Sequence, residues 1–197
     1  MIVVSPDGPD PITHTFIARP RIECETSMLS RNFSNRIECA LDTYWQYALT
    51  EDYNHCLYED FLKYRDYRLL HEEDTGDRVH RKIQYAPPPA PGPLRKLAGP
   101  FRAALLTEVL VFDKTTRCAS IDYVPNAFAG LMNVHANVSC KSIGPASIER
   151  VAEYEMSLKL PLIGRSAERN LATFLEEQAA MHARFAEAYL ARVTTTP

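Results

Sequence analysis

The stretch VAEYEMSLKLPLIGRSAERNLATFLEEQAAMHARFAEAYLARV, Val151–Val193, changes its period halfway. Before Pro161 it alternates. Ala152, Tyr154, Met156, Leu158 and Leu160 form one set; Glu153, Glu155, Ser157 and Lys159 form the other. A period of two predicts a half-buried antiparallel strand over 151–160. After Pro161-Leu162-Ile163-Gly164 the period becomes 3.6. Leu171, Leu175, Gln178, His182, Phe185 and Tyr189 then fall on one face of a helix predicted over 165–193, with Glu176, Ala180, Arg184 and Glu187 opposite. Such a helix buries its stripe against the preceding sheet. Gln178 and His182 stand mid-stripe, where a plain core places leucine, and that points to a container.

Working backwards, Met132–Ile143 alternates, with Val134, Ala136, Val138 and Cys140 on one side. Phe101–Lys114 with Thr116–Pro125 reads as a hairpin, and so does Tyr64–Asp74 with Asp77–Ala86 across Thr75-Gly76. Thr13–Glu25 reads as a first strand, with Pro20 marking an edge or a bulge. A helix capped at Ser34 or Asn35 is predicted through Ile37, Leu41, Tyr44 and Ala48, then a short helix within Asp52–Lys63. Trp45 with Tyr44 and Tyr47 reads as a packing knot. Ala86–Pro100 carries six prolines around Leu94-Arg95-Lys96-Leu97-Ala98. Such a segment cannot join a ladder, so it forms a stiff loop at one end of the sheet.

The chain has 197 residues, 46% of them hydrophobic and 24% charged, with a net charge of −3. That is ordinary globular composition, and it gives nucleic-acid binding no support. The expected division is a flexible segment over 1–12, one domain over 13–193 and a tail over 194–197. Five scattered cysteines without a C-x-x-C pair read as reduced thiols, hence a cytoplasmic setting. No run approaches a membrane span.

Catalytic material is thin. The six histidines lack an H-E-x-x-H partner, and no G-x-S-x-G, P-loop or G-x-G-x-x-G occurs. No cofactor, metal site or catalytic residue is expected on this reading. Gln178 and His182 are helix neighbours. Either they line a cavity and bond a polar ligand group, or tyrosine hydroxyls, backbone or water satisfy them in a packed core. An unpaired buried amide would cost roughly 1–3 kcal/mol, so some partner must exist.

The order strand, helices, antiparallel strands and closing helix, entered through Leu160-Pro161-Leu162-Ile163-Gly164, resembles the helix-grip fold of the START-like (SRPBCC) superfamily. The resemblance covers about residues 13–193 and implies an α+β fold, with a curved antiparallel sheet of six to seven strands wrapped round the C-terminal helix. Two branches look similar. Uncharacterised bacterial START-like proteins share the Pro-Leu-hydrophobic-Gly step. The PRELI phospholipid carriers have a basic-apolar turn similar to Leu94–Pro100 and a segment similar to Asn126–Cys140 after an acidic hairpin turn at Asp113-Lys114. PRELI proteins work with a small helical partner in mitochondria.

The resemblance implies a deep cavity for a hydrophobic ligand. The expected task is binding, with transfer as a further use, of a lipid or other hydrophobic small molecule. Tyr154, Met156, Leu158, Leu171, Leu175, Gln178, His182 and Phe185 would line the cavity. Leu94, Arg95, Lys96 and Leu97 would form a lid that touches a membrane transiently. The rivals are a cyclase/aromatase-like enzyme in the same cavity, with His182 as its acid–base candidate, and a protein-interaction module.

Overall fold

A computed structural model describes residues 28–88, 105–126, 132–158 and 164–195. Seven strands form one antiparallel sheet: β1 (Leu29–Ile37), β2 (Arg65–Asp74), β3 (Arg78–Ala86), β4 (Leu106–Asp113), β5 (Cys118–Pro125), β6 (Met132–Gly144) and β7 (Ser147–Leu158). Their spatial order is β1-β7-β6-β5-β4-β3-β2. Between β1 and β2 run α1 (Leu41–Ala48) and α2 (Glu51–His55), the latter continuing as a π-helical turn, Cys56–Phe61. The long helix α3 (Gly164–Thr195) closes the chain. This is the helix-grip α+β fold: a curved sheet holding a long C-terminal helix.

The alternation read from the sequence sets the sheet's two faces. Ile148, Ala152, Tyr154 and Met156 of β7, and Val134, Ala136 and Val138 of β6, point inward and are buried. Glu153 and Glu155 point outward and are exposed. The β2–β3 hairpin turns at Gly76, whose φ of 91° suits glycine. Asp74 accepts from the Gly76 amide at 2.9 Å and from Lys114 Nζ at 2.6 Å, which holds its carboxyl below the usual range. Thr50 caps α2 through the Tyr53 amide.

The chain's first elements differ from the sequence reading. Ser34–Ile37 belongs to strand β1, not to a helix, and α1 begins at Leu41. The reason is a period of two that the helical reading overrode. Phe33, Asn35 and Ile37 pair with Ala152, Arg150 and Ile148 and turn inward, while Ser34 and Arg36 stay exposed. The expected strand over Thr13–Glu25 lies outside the described residues. Trp45 does pack as a knot, edge-on to Tyr44 at 5.0 Å and tilted on Phe112 at 4.5 Å. Cys39, Cys56, Cys118 and Cys140 are free thiols. Among the described residues no helix is long and apolar enough to cross a membrane.

Helix α3 packs against β1, β7, α1 and the π-helical turn. Alanines make up much of its buried face. Ala172, Ala179, Ala183 and Ala186 are buried along with Leu175, Leu190 and Tyr189. Small side chains let the helix backbone lie near the sheet, leaving larger residues to fill the flanks.

Candidate functional site: a buried polar cluster inside the grip

In β4 the inward set is Leu106, Glu108, Leu110 and Phe112, so the alternation delivers a carboxylate to the interior. Glu108 is 5% exposed. Its register neighbours are Ile83 on β3 and Tyr123 on β5. Tyr58 and Tyr85 both donate to Glu108 Oε2, at 2.8 and 3.1 Å. Tyr85 comes from β3 and Tyr58 from the π-helical turn, whose wider spiral carries the ring over the sheet. The two rings stack at 4.8 Å. Burial pushes the Glu108 carboxyl up, against the two phenol bonds and the charge of Arg81. Burial likewise raises the phenols of Tyr58, Tyr85 and Tyr123 well above their ordinary value. The group is therefore a carboxyl whose pKa burial raises, set among neutral phenols.

Across the interior, α3 supplies Gln178 and His182. Gln178 Oε1 accepts from Tyr64 at 2.6 Å, and the His182 ring stands perpendicular to Tyr58 at 6.1 Å. Burial, then the positive charge of Arg150, pushes the His182 pKa down to about 3. The imidazole is neutral at physiological pH. Desolvated as they are, His182 and Tyr123 still keep more exposed surface than core residues do.

A third polar group sits near β7. Arg150 points inward, in register with Cys140 and Asn35, and is 6% exposed. Its Nε donates to the Tyr44 hydroxyl at 3.1 Å. Burial works against its charge, but Tyr44, Tyr154 and Cys140 around it outweigh that and hold its pKa above the ordinary value.

Of the residues singled out from the sequence, Tyr154, Met156, Leu175 and Phe185 are buried, and Leu171 packs on the core's margin. Gln178 and His182 meet Tyr64 and Tyr58. Phe185 joins a different group, its ring 5.0 Å from Tyr53, 5.4 Å from Phe61 and 5.5 Å from Tyr189. Leu158 ends β7, its side chain outside the described residues, as are Leu94, Arg95, Lys96 and Leu97. Glu108, Arg150 and the tyrosines 58, 64, 85 and 123 escaped the sequence reading. A signal existed for two of them: Glu108 interrupts an apolar alternation, and Arg150 continues the inward set of Ile148 and Ala152.

A separate groove of about 410 Å³ lies near the ends of β5 and β6, lined mainly by outward residues that include Val109, Val124 and Glu155. There His135 Nδ1 lies 2.7 Å from Asp122 Oδ1. Tyr123, Val134 and Met156 of the sheet also reach the groove's lining, but Glu108, Gln178, His182 and Arg150 do not.

A seven-stranded antiparallel sheet around a long C-terminal helix is a fold this chain shares with known structures. No known protein-family profile and no curated protein matches the sequence. Solved structures do. An aromatase/cyclase, Zhui from Streptomyces sp. R1128, aligns with a TM-score of 0.62 at 10% identity, covering 84% of this chain and 95% of that one. Norcoclaurine synthase from Thalictrum flavum, in complex with dopamine and hydroxybenzaldehyde, aligns at 0.62 with 12% identity over 98% and 96%. A START superfamily protein from Mycobacterium smegmatis aligns at 0.52 with 11% identity over 84% and 98%. At such identities the likeness is one of fold.

Proposed function

We propose that the protein binds a hydrophobic small molecule, a lipid or an aromatic compound, in a cavity between the sheet and α3. The observation that carries this is the state of His182. It is strongly desolvated, yet it keeps exposed surface. Groups deep in a close-packed core lose both water and free surface, so space next to the imidazole accounts for the combination. The lining suits a mostly apolar guest with one or two polar atoms. Leu110, Leu171 and the phenol faces supply apolar contact, and Gln178 and His182, which keep free surface, supply oriented polar groups, with Met156 and Glu108 behind them. Tyr154, Leu158, Leu171, Leu175 and Phe185 are assigned to the wall on the same reading. Lipid transfer is the finer version. It rests on the PRELI-like turn at 94–97, which would touch the membrane while α3 gates the cavity.

The test is native mass spectrometry of the freshly purified protein, with solvent extraction. A co-purifying hydrophobic molecule is expected. A protein that carries nothing, and that binds no apolar fluorophore in titration, refutes the container.

One observation favours a second reading, an enzyme of the cyclase/aromatase kind. Glu108 is a carboxyl held toward its protonated form beside two phenols, which is how a general acid is prepared. Glu108→Gln keeps an acceptor for both phenols and removes the titrating proton. If the bound molecule is transformed by wild type and bound unchanged by the variant, the interior is catalytic. If neither changes it, the protein is a binder.

A further inference from the structure

Among the described residues Arg150 carries a formal charge in the interior without a counterion. Of its nitrogens only Nε has a partner among them, the hydroxyl of Tyr44. Its Nη1 is buried and makes no hydrogen bond among the described residues. The surrounding groups are Tyr44, Tyr154 and Cys140, of which Tyr44 and Cys140 have their pKa values pushed up to about 12, and burial raises the Tyr154 phenol too. All three are neutral at physiological pH. The interior carboxylate, Glu108, accepts from Tyr58 and Tyr85 and is itself driven toward its neutral form. The buried Arg81 shows the contrast. It pairs with Glu72 at 2.6 Å and donates to the Leu49 carbonyl.

An uncompensated buried guanidinium is costly, and native interiors pair such charges. A second donor without a partner among the described residues, Trp45 Nε1, lies on the ring packed edge-on against Tyr44. This end of the interior therefore has donors and positive charge in excess. Arg150 lies within electrostatic reach of Tyr123 and of His182 on α3.

We propose that Arg150 is the anchor for an anionic group on the bound molecule, and that the ligand is a hydrophobic carboxylate. The proposal rests on the container reading above and adds its charge. One unpaired guanidinium matches one negative charge, and its planar fork suits a carboxylate. A doubly charged phosphate would leave one charge uncompensated in the same place. The acid would lie against Arg150, its apolar body running between Met156 and the phenol faces toward Glu108.

The experiment is a fluorescence titration with cis-parinaric acid and with its methyl ester, which share one chain and differ in charge. Wild type is expected to bind the acid at least tenfold more tightly than the ester. Arg150→Met should lose that preference while keeping its affinity for the ester, and Arg150→Lys should retain part of it. Thermal melts of the variants show that they fold, and the wild-type preference stands without them. Equal affinity of wild type for acid and ester overturns the anion anchor and leaves the container intact. So does a preference that Arg150→Met keeps. Binding of neither probe overturns the container, and the anchor with it.

Discussion

At the scale of single residues, the interior is organised by which polar groups found partners. Gln178 and Tyr64 are satisfied by one another, at 2.6 Å between α3 and the segment after the π-helical turn. Gln178→Leu strands the Tyr64 hydroxyl, which is buried, and should cost about 1–3 kcal/mol. Adding Tyr64→Phe should recover most of that loss, because both polar ends are then gone. The check is a double-mutant cycle by urea unfolding; losses that simply add would mean the bond carries no coupling. His182 gives a prediction in pH. Its folded pKa of about 3 lies below the unfolded 6.5. Its contribution is therefore fully present above pH 6.5 and is lost as pH falls toward 3, because the unfolded chain takes up a proton that the folded one refuses. His182→Leu should flatten the fall in stability between pH 6.5 and 4 by up to roughly 1 kcal/mol per pH unit. Parallel denaturant series for wild type and variant at several pH values read this directly. Curves of equal slope would mean that the imidazole is already hydrated in the folded state.

At the scale of elements, β2 to β7 and α3 were legible because each has a dominant period and a marked end. Thr75-Gly76 gives one turn and Pro161 to Gly164 the break before α3. Strand β1 was not, since its end, Ile37, with Leu41 and Tyr44 also fits a helical spacing, and only pairing with β7 decides for a strand. The site was half legible. Gln178 and His182 stood out as polar residues in a long helical stripe. Glu108 and Arg150 sit in strands of eight and twelve residues, where a single polar residue on the inward register looks like a variation in an otherwise ordinary run. The tyrosines were hidden differently, because a phenol in a core pattern reads as apolar until its hydroxyl partner is known. What the stripe also concealed is the alanine ridge of α3. Ala186 is 1% exposed and sits where the helix runs close to its neighbours. Ala186→Leu has no room and should destabilise by about 1–3 kcal/mol, seen as a lower melting temperature with unchanged far-ultraviolet circular dichroism. A variant as stable as wild type would show that α3 can lift from the sheet freely, which a gating helix needs and a packed one forbids.

At the scale of the molecule, the sheet of seven strands has two edges among the described residues. The edge strand β2 exposes Arg68, His71, Glu72, Glu73 and Asp74 and is bulged twice against β3, which discourages pairing with another chain. The other edge, β1, exposes Ser30, Arg31, Asn32, Ser34 and Arg36. Most exposed residues of both edges are polar, and the interior gathers phenols, an acid whose pKa burial raises, an imidazole that refuses a proton and an arginine whose Nη1 has no partner among the described residues. A fold that keeps such groups buried spends stability on them, and a bound molecule that satisfies them returns it. The stability of the protein should therefore depend on its cargo by mass action. Protein melted as purified should exceed protein stripped by organic extraction and refolded. At a free ligand concentration of one hundred dissociation constants the gain is about 2.7 kcal/mol, or roughly 5–10 °C for a chain of this size. Adding the extracted molecule back should restore the shift in proportion to the logarithm of its concentration. If the stripped and unstripped proteins melt together although a molecule was recovered, that molecule was carried on the surface and the interior is filled by the protein's own side chains.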